Sequence, residues 1–149
     1  MDIVVGVADL KVSNRPEHVL VTHALGSCIG VAIYDPLARV GGMLHFMLPE
    51  SSLDLSRAQE NPYMFADTGV PRLFRECYSL GAQKQRLRVK VAGGSQLFGR
   101  PEHFQVGRRN YNVLIHGEDV GGNKARTLCL EIATGKTWVR TTDNQIYEL

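Results

Sequence analysis

Cysteine is scarce in this sequence, and its spacing excludes several classes of protein. The chain of 149 residues has 3 cysteines, and none of them forms a Cys-x-x-Cys pair. A structural zinc site needs closely spaced soft ligands, so we expect no metal centre. Three thiols cannot all pair within one chain, and a reduced, cytoplasmic protein is therefore the simplest interpretation.

An excess of one charge sign and long apolar runs are missing as well. Lys and Arg number 17 against 15 Asp and Glu, which leaves a formal net charge of +2. So small a charge creates no strong field toward nucleic acid or an acidic membrane. No apolar run approaches the roughly 20 residues of a membrane helix. The N-terminal segment lacks a basic lead and a small-residue cleavage site, so no signal peptide is expected.

What is present is a set of short apolar and β-branched runs, which predicts more strands than helices. Hydrophobic residues make up 44% of the chain, an ordinary value for one globular domain, here expected over 1–149. Residues 29–34 are apolar throughout, which indicates a strand buried on both faces. Residues 41–48 are expected to return beside it in a hairpin. Further strands are predicted at 3–7, 18–22, 86–92, 128–133 and 136–140, the last two joined by Thr134-Gly135.

One helix is predicted from a stripe of apolar residues at spacings of three and four, namely Ala66, Val70, Leu73, Phe74 and Cys77. Pro71 lies inside this stripe, so the helix is expected to begin near Pro71 or to be kinked there. Gly81 is a candidate C-cap. Residues 51–62 are polar and predict a mobile loop, whereas 104–116 is ambiguous between a short helix and a helical turn followed by a strand. The whole pattern favours an α+β protein, with a sheet or sandwich carrying one or two helices outside.

Cys28 is the first candidate for chemistry. A cysteine nucleophile has to be accessible, partly thiolate and close to backbone donors that can receive an oxyanion. The preceding Gly26-Ser27 pair permits a sharp turn whose N–H groups would form an anion-binding nest. An inert buried thiol is nevertheless the common state of free cysteine, and both interpretations of Cys28 stay open.

His45 is the second candidate, because it interrupts an otherwise apolar strand. Burying an imidazole costs free energy unless the ring finds a partner. In the predicted hairpin its strand lies beside the strand that follows Cys28, so a contact between the two side chains is sterically reasonable. The alternative is a core histidine satisfied by a backbone carbonyl. His23, close to Cys28 in the sequence, is a competing base.

The remaining polar clusters and thiols are interpreted as structural. Histidines 18, 103 and 116 lie among polar residues, which is typical of surface positions, and cysteines 77 and 129 fall on predicted core faces. The basic residues at 86, 88 and 90 have no interleaved aromatics, so a solvated sheet face is favoured over a nucleic-acid stripe. Gly93-Gly94-Ser95 and Gly121-Gly122-Asn123 lack the lysine of a phosphate loop and are predicted to be turns.

Several short motifs occur in one order along nearly the whole chain, from about Val5 to Arg140. They are THALGSC at 22–28, DP at 35–36, GGMLHFMLP at 41–49, AGGS at 92–95, RN at 109–110, DVGGNKAR at 119–126 and TG at 134–135. The set resembles the CheD family, the chemoreceptor glutamine deamidases of bacterial chemotaxis. The GSC element followed by the HxMLP element is specific, whereas the glycine motifs alone are weak.

The resemblance implies a cysteine hydrolase that needs no metal or organic cofactor. Its fold would be a β-sandwich-like mixed sheet core flanked by helices, similar to the cytotoxic necrotizing factor catalytic domain. Cys28 matches the family's nucleophile, His45 its histidine and Thr22 the threonine that orients the histidine. Backbone groups around Gly26 and Ser27 would hold the oxyanion.

The resemblance also implies partners. The substrates would be glutamines on the cytoplasmic domains of methyl-accepting chemoreceptors, some members also hydrolyse receptor methyl esters, and a CheC-type phosphatase would regulate the enzyme. One departure concerns 111–118, which is too short for a helix of about 11–12 residues plus a strand of about 5–6, so a second helix is expected to be truncated or missing. A non-catalytic regulator that binds receptors or CheC, and a redox sensor built on Cys28, are the competing functions.

Overall fold

Two stacked β-sheets form the centre of the protein. The computed structural model describes residues 1–95 and 115–149, and within these ranges the strands form two five-stranded sheets. The first sheet has the spatial order β1 (Asp2–Val4), β3 (Val19–Leu25), β8 (Arg126–Glu131), β9 (Thr137–Thr141) and β10 (Ile146–Glu148). The second has the order β2 (Asp9–Ser13), β5 (Val40–Phe46), β4 (Ile29–Asp35), β6 (Arg88–Gly93) and β7 (Gly117–Val120).

The pairing is mostly antiparallel, as the predicted hairpins require. β4 pairs with β5 along its whole length, from Ile29 opposite Phe46 to Asp35 opposite Val40. β8 and β9 form the second predicted hairpin. Among the described strands, only β1 with β3 and β6 with β7 run parallel. Both hairpin predictions are therefore confirmed, and the fold is a mixed α+β structure of two mostly antiparallel sheets.

The central strand β4 is buried at every position because both of its faces are covered. Ala32 and Tyr34 pack toward the first sheet, in a cluster with Leu128. Val31 and Ile33 belong to the opposite cluster, which includes the buried residues of the main helix. Alternate side chains of a strand point to opposite faces, so a strand covered on both sides has to be apolar throughout.

Helix α2 (Ala66–Ser79) covers the outer face of the second sheet. Its buried residues are Ala66, Gly69, Val70, Leu73 and Cys77, which confirms most of the predicted apolar stripe. The helix ends as expected, because Gly81 has φ 105°, its N–H donates to the Tyr78 carbonyl at 2.9 Å and the Ala82 N–H donates to the Cys77 carbonyl at 3.1 Å. This pair of bonds satisfies two carbonyl groups of the last turn.

The predicted start of the helix and the predicted loop before it are wrong. The helix begins at Ala66 and not near Pro71, because its apolar stripe is buried on both sides of the proline. A kink at Pro71 stays a prediction. The predicted mobile loop over 51–62 contains a 3₁₀ turn (Ser51–Leu53), helix α1 (Leu55–Glu60) and the start of a second 3₁₀ turn (Pro62–Met64). Side-chain capping explains the last two of these elements, since Asp54 accepts a hydrogen bond from the Arg57 N–H and Asn61 accepts one from the Tyr63 N–H.

Other strand boundaries also differ from the predicted ones. The strand expected at 3–7 is the shorter β1, the strand expected at 18–22 extends to Leu25, and β2, β7 and β10 were not predicted. The ambiguous segment 104–116 lies mostly outside the described residues, and so do His103, Arg109 and Asn110. The truncated second helix therefore stays a prediction, as does the likeness to the cytotoxic necrotizing factor domain.

The Asp35-Pro36 motif closes the β4–β5 hairpin through a buried carboxylate. Asp35 Oδ1 accepts hydrogen bonds from the Leu37 and Ala38 N–H groups at 2.9 and 3.0 Å, and Oδ2 accepts one from the Gln83 N–H at 2.9 Å. The Arg86 guanidinium completes the pair, with Nη2 at 2.9 Å from Oδ2. These donors outweigh the effect of burial and lower the pKa of Asp35 to about 2.

Membrane-spanning helices are absent from residues 1–95 and 115–149, since no helix there has the length and apolar character to cross a membrane. The same residues contain no cluster of three or more His, Cys, Asp or Glu side chains arranged to hold a metal ion.

Candidate active site

Cys28 lies in the bend where the chain crosses from the first sheet to the second. β3 ends at Leu25 and β4 begins at Ile29, so Gly26, Ser27 and Cys28 form the whole crossing. Immediately before it, the β3–β8 register shifts between Thr22 and Leu25, and Ala24 has a φ of 58°. Such a bulge redirects a strand and is frequent beside active sites.

The sharp turn predicted at Gly26 lies where the chain passes from β3 to β4. The φ of Gly26 does not fall in the left-handed region, which Ala24 occupies instead. A Cβ built on Gly26 would meet nothing within 4 Å. The glycine therefore leaves open space beside Cys28 and is not needed for the backbone turn itself.

The Gly93-Gly94-Ser95 segment is hydrogen-bonded to the backbone of the Cys28 bend. The Gly94 N–H donates to the Cys28 carbonyl at 2.9 Å, and the Ser95 N–H donates to the Gly26 carbonyl at 2.7 Å. Gly93 has φ 111°, and a Cβ there would lie 2.2 Å from the Cys28 carbonyl oxygen. Only glycine fits this close approach. The sequence analysis interpreted the segment as an ordinary turn; the available signal was a glycine pair directly after a core strand.

His45 lies in β5 of the second sheet and faces the first sheet. Its side chain is buried, with 1% of the residue exposed. Its Nδ1 lies 2.8 Å from Thr22 Oγ1, and the same hydroxyl donates to the Val5 carbonyl at 2.7 Å. A hydroxyl has one proton, and a carbonyl can only accept. Thr22 Oγ1 therefore accepts a hydrogen bond from His45 Nδ1–H, which fixes the neutral ring as the tautomer with its lone pair on Nε2.

The Nε2 atom of His45 is buried, and no group in the described residues hydrogen-bonds to it. Buried polar atoms are normally satisfied, so an orphaned lone pair beside a bend with a thiol indicates a reactive position. His45 pairs across the β4–β5 ladder with Gly30, two residues after Cys28. The structure thus brings both side chains to one end of the hairpin, without a Cys28–His45 hydrogen bond in this conformation.

Burial determines the charge state of both groups. It raises the pKa of the Cys28 thiol above its ordinary value, and it lowers the pKa of the His45 imidazole. Both shifts disfavour the charged forms, so the resting site contains a thiol and a neutral imidazole. A neutral ring with a free Nε2 lone pair is the state that can accept a proton from the thiol.

Backbone donors are available at the same bend. The Gly26 N–H donates to the Ala24 carbonyl at 3.0 Å, so it is already used. Within residues 1–95 and 115–149, the N–H groups of Ser27 and Cys28 have no such backbone partner. Two free amides next to a thiol have the composition of an oxyanion hole.

The alternative residues lie elsewhere. His23 is exposed and its Nδ1 lies 3.4 Å from Thr127 Oγ1, so it does not join Thr22 and His45. His18 contacts Ser13, and His116 accepts a hydrogen bond from the Val89 N–H. The predictions that cysteines 77 and 129 belong to the core are confirmed, because both are buried, and burial raises their pKa values to about 12 and about 11.

Comparisons with known proteins identify the family. The family described as CheD chemotactic sensory transduction matches residues 47–141. The chain is 51% identical to the probable chemoreceptor glutamine deamidase CheD 1 of Syntrophus aciditrophicus (strain SB), over 99% of each chain. It is 48% identical to the probable chemoreceptor glutamine deamidase CheD of Solibacter usitatus (strain Ellin6076), over 96% of this chain and 90% of the relative. The CheD 2 protein of Anaeromyxobacter dehalogenans (strain 2CP-C) is 44% identical over 95% of each chain. The chain belongs to the CheD family.

Proposed function

We propose that this protein is a chemoreceptor glutamine deamidase, which converts receptor glutamine side chains to glutamate and releases ammonia. The names of relatives at 44–51% identity support the reaction and its substrate. The observation that carries the chemistry is the buried Nε2 of His45, which lacks a partner among the described residues while Thr22 occupies Nδ1. The catalytic assignment of Cys28, His45 and Thr22 is part of this proposal.

In the first step His45 Nε2 takes the proton of the Cys28 thiol, and the thiolate attacks the carboxamide carbon of glutamine. The carbonyl π bond opens and places a negative charge on oxygen, which the N–H groups of Ser27 and Cys28 receive. A positioned base contributes about 10²–10⁴-fold to such a step. One oxyanion donor contributes a further factor of about 10²–10³.

In the second step the oxyanion reforms the carbonyl, the C–N bond breaks, and the His45 imidazolium gives its proton to the leaving NH₂ nitrogen, which departs as ammonia. A thioester between Cys28 and the substrate remains. His45 then takes a proton from water, the hydroxide attacks the thioester, and the thiolate leaves and is reprotonated. The Thr22 hydroxyl and the Val5 carbonyl support the imidazolium at its other nitrogen. Glutamate and ammonia are the products, and no electrons are exchanged with a co-reactant.

The redox sensor built on Cys28 is the competing enzyme-free function, and it predicts reversible oxidation of Cys28 without ammonia release. We further propose that the enzyme is cytoplasmic, since its substrates are the cytoplasmic domains of the receptors, and that a CheC-type phosphatase regulates it; the family resemblance alone supports this partner.

The test is incubation of the protein with a chemoreceptor cytoplasmic fragment, followed by peptide mass spectrometry for conversion of glutamine to glutamate. The proposal expects a site-specific conversion that disappears in Cys28→Ala and in His45→Ala. His23→Ala is the matched control, because it removes a histidine on the exposed side of β3, and it should retain activity. Conversion that persists in Cys28→Ala would contradict the nucleophile, and receptor binding without conversion would favour the non-catalytic regulator.

A further inference from the structure

Arg126 in β8 places a buried charge next to the Gly93–Ser95 segment, which is hydrogen-bonded to the Cys28 bend. Its side chain is 6% exposed, and it does not contact Cys28 or His45 through any hydrogen bond of the described residues. Its guanidinium pairs with Asp119, with Nε at 2.8 Å from Oδ2. Burial of a charge is costly unless it is paired and fully hydrogen-bonded, so the other contacts of this group have to be accounted for.

Those other contacts are backbone carbonyls. Nη2 donates to the Gly121 carbonyl at 2.7 Å, and Nη1 donates to the Gly93 carbonyl at 3.3 Å and to the Lys124 carbonyl at 3.4 Å. The Gly121 N–H also donates to the Gly93 carbonyl, at 3.0 Å. The guanidinium therefore joins the loop after β7 to the end of β6, and Gly93 is the point where the two meet.

From Gly93 the connection continues directly to the nucleophile bend. The next two residues, Gly94 and Ser95, donate their N–H groups to the carbonyls of Cys28 and Gly26. Ser95 Oγ additionally donates to the Gly122 carbonyl at 3.2 Å, in the loop that Arg126 holds. A fixed Gly93 carbonyl thus restrains the two amides that hold the bend in place.

We propose that Arg126 is a positioning residue, which holds the Cys28 bend in register with His45 through Gly93, Gly94 and Ser95. A guanidinium is suited to this task, since its planar fork reaches three carbonyls and a carboxylate simultaneously. Asp119 keeps the fork oriented and is itself held by the Tyr147 hydroxyl at 2.7 Å. That hydrogen bond raises the pKa of Tyr147.

The effect on rate rests on the proposed deamidase function, whereas the effect on the bend does not. The test substitution is Arg126→Lys, which keeps a charge for Asp119 but loses the planar fork. Arg86→Lys is the matched control, because Arg86 also pairs with an aspartate, the buried Asp35. Asp35 and Asp119 both belong to strands of the second sheet and lie at its opposite ends. The seven residues of β4 separate the two ends by roughly 20 Å.

Three readouts are compared at a temperature where both variants are folded by circular dichroism. Amide hydrogen exchange at Gly94 and Ser95 should accelerate at least tenfold in Arg126→Lys and stay within twofold in Arg86→Lys. Alkylation of the half-buried Cys28 by iodoacetamide should become at least threefold faster only in Arg126→Lys, because a loosened bend exposes the thiol. Deamidation kcat should fall at least tenfold with KM within twofold, again only in Arg126→Lys.

Equal exchange at Gly94 and Ser95 in the two variants would overturn the proposal, since the hydrogen bonds from these two amides to the Cys28 bend would then not depend on Arg126. Faster exchange and alkylation with unchanged kcat would also overturn it, because the bend would not need positioning. If the wild-type protein deamidates no receptor, the deamidase proposal fails. Exchange and alkylation then decide the role of Arg126 without reference to turnover. Should Arg126→Lys not fold, Asp119→Asn, which releases the same fork, is measured against Arg86→Lys in the same way.

Discussion

In the proposed mechanism, the single hydroxyl proton of Thr22 determines which nitrogen of His45 is available to Cys28. The hydroxyl donates to the Val5 carbonyl, so its oxygen receives Nδ1–H and leaves the lone pair on Nε2. Without this acceptor the ring would distribute between both tautomers and lose the support of its imidazolium form. The threonine needs no charge for this task, and an uncharged partner suits a buried histidine whose pKa is already lowered.

Thr22→Val should therefore reduce deamidation kcat by about 10²-fold, the lower end of what a positioned base contributes. The shape of the side chain is retained, so the effect reports on the hydroxyl. Thr22→Ser keeps the hydroxyl and should retain kcat within a few fold. The measurement is steady-state ammonia release, together with nitrogen chemical shifts of the His45 ring, which should show Nδ1–H in wild type and in Thr22→Ser. An unchanged tautomer and rate in Thr22→Val would exclude the orienting role.

At the scale of elements, the sequence predicts well where burial is local and poorly where contacts are distant. The hairpin of β4 and β5 follows from two apolar runs and a turn, and the Cys28–His45 neighbourhood follows from that hairpin. β2 (Asp9–Ser13) was missed although its DLKVS alternates polar and apolar residues. The support of the Cys28 bend by Gly93–Ser95 was not predictable from spacing, since it joins segments far apart in the chain.

The capping residues were missed although their contacts are local. The polar composition of 51–62 predicted a loop, yet side-chain acceptors at Asp54 and Asn61 start short helical elements there. Pro71 was given too much weight, because the buried stripe of α2 outweighs the loss of one backbone hydrogen bond. At Pro71 a local signal was overruled by packing against the second sheet, whereas at 51–62 two local capping signals were given too little weight.

Gly93, the last residue of β6, packs so closely against the Cys28 carbonyl that a side chain there should destabilise the fold. Gly93→Ala introduces a side chain at φ 111° and 2.2 Å from the Cys28 carbonyl, so it should lower the free energy of unfolding by at least about 1–3 kcal/mol. Gly26→Ala is the control, since its Cβ meets nothing within 4 Å, and it should stay within about 0.5 kcal/mol of wild type. Urea unfolding midpoints give both values. Equal stability of the two variants would show that Gly93 does not need its conformation.

For the whole molecule, strand β4 lies between the proposed catalytic site at one end and a buried ion pair that stabilises the fold at the other. Its first residue follows the Cys28 bend, and its last residue, Asp35, joins the β4–β5 turn to the segment after α2. The two ends share a rigid, fully buried strand but no side-chain network among the described residues. A change at the Asp35 end should therefore affect folding, while the chemistry of the remaining folded protein is preserved.

Asp35→Asn tests this separation. Removing one partner of a buried ion pair should cost about 3–5 kcal/mol in the free energy of unfolding at pH 7, because Arg86 and three backbone amides lose their charged acceptor. The folded pKa of Asp35 is lowered to about 2, below its unfolded value, so its contribution is present above pH about 4 and is lost as pH falls toward 2. Urea titrations between pH 7 and 2 should show this loss in wild type and a flatter profile in the variant.

Deamidation kcat, measured where Asp35→Asn is fully folded, should stay within twofold of wild type. A large fall in kcat under those conditions would show that the Asp35 end and the Cys28 end are coupled through β4.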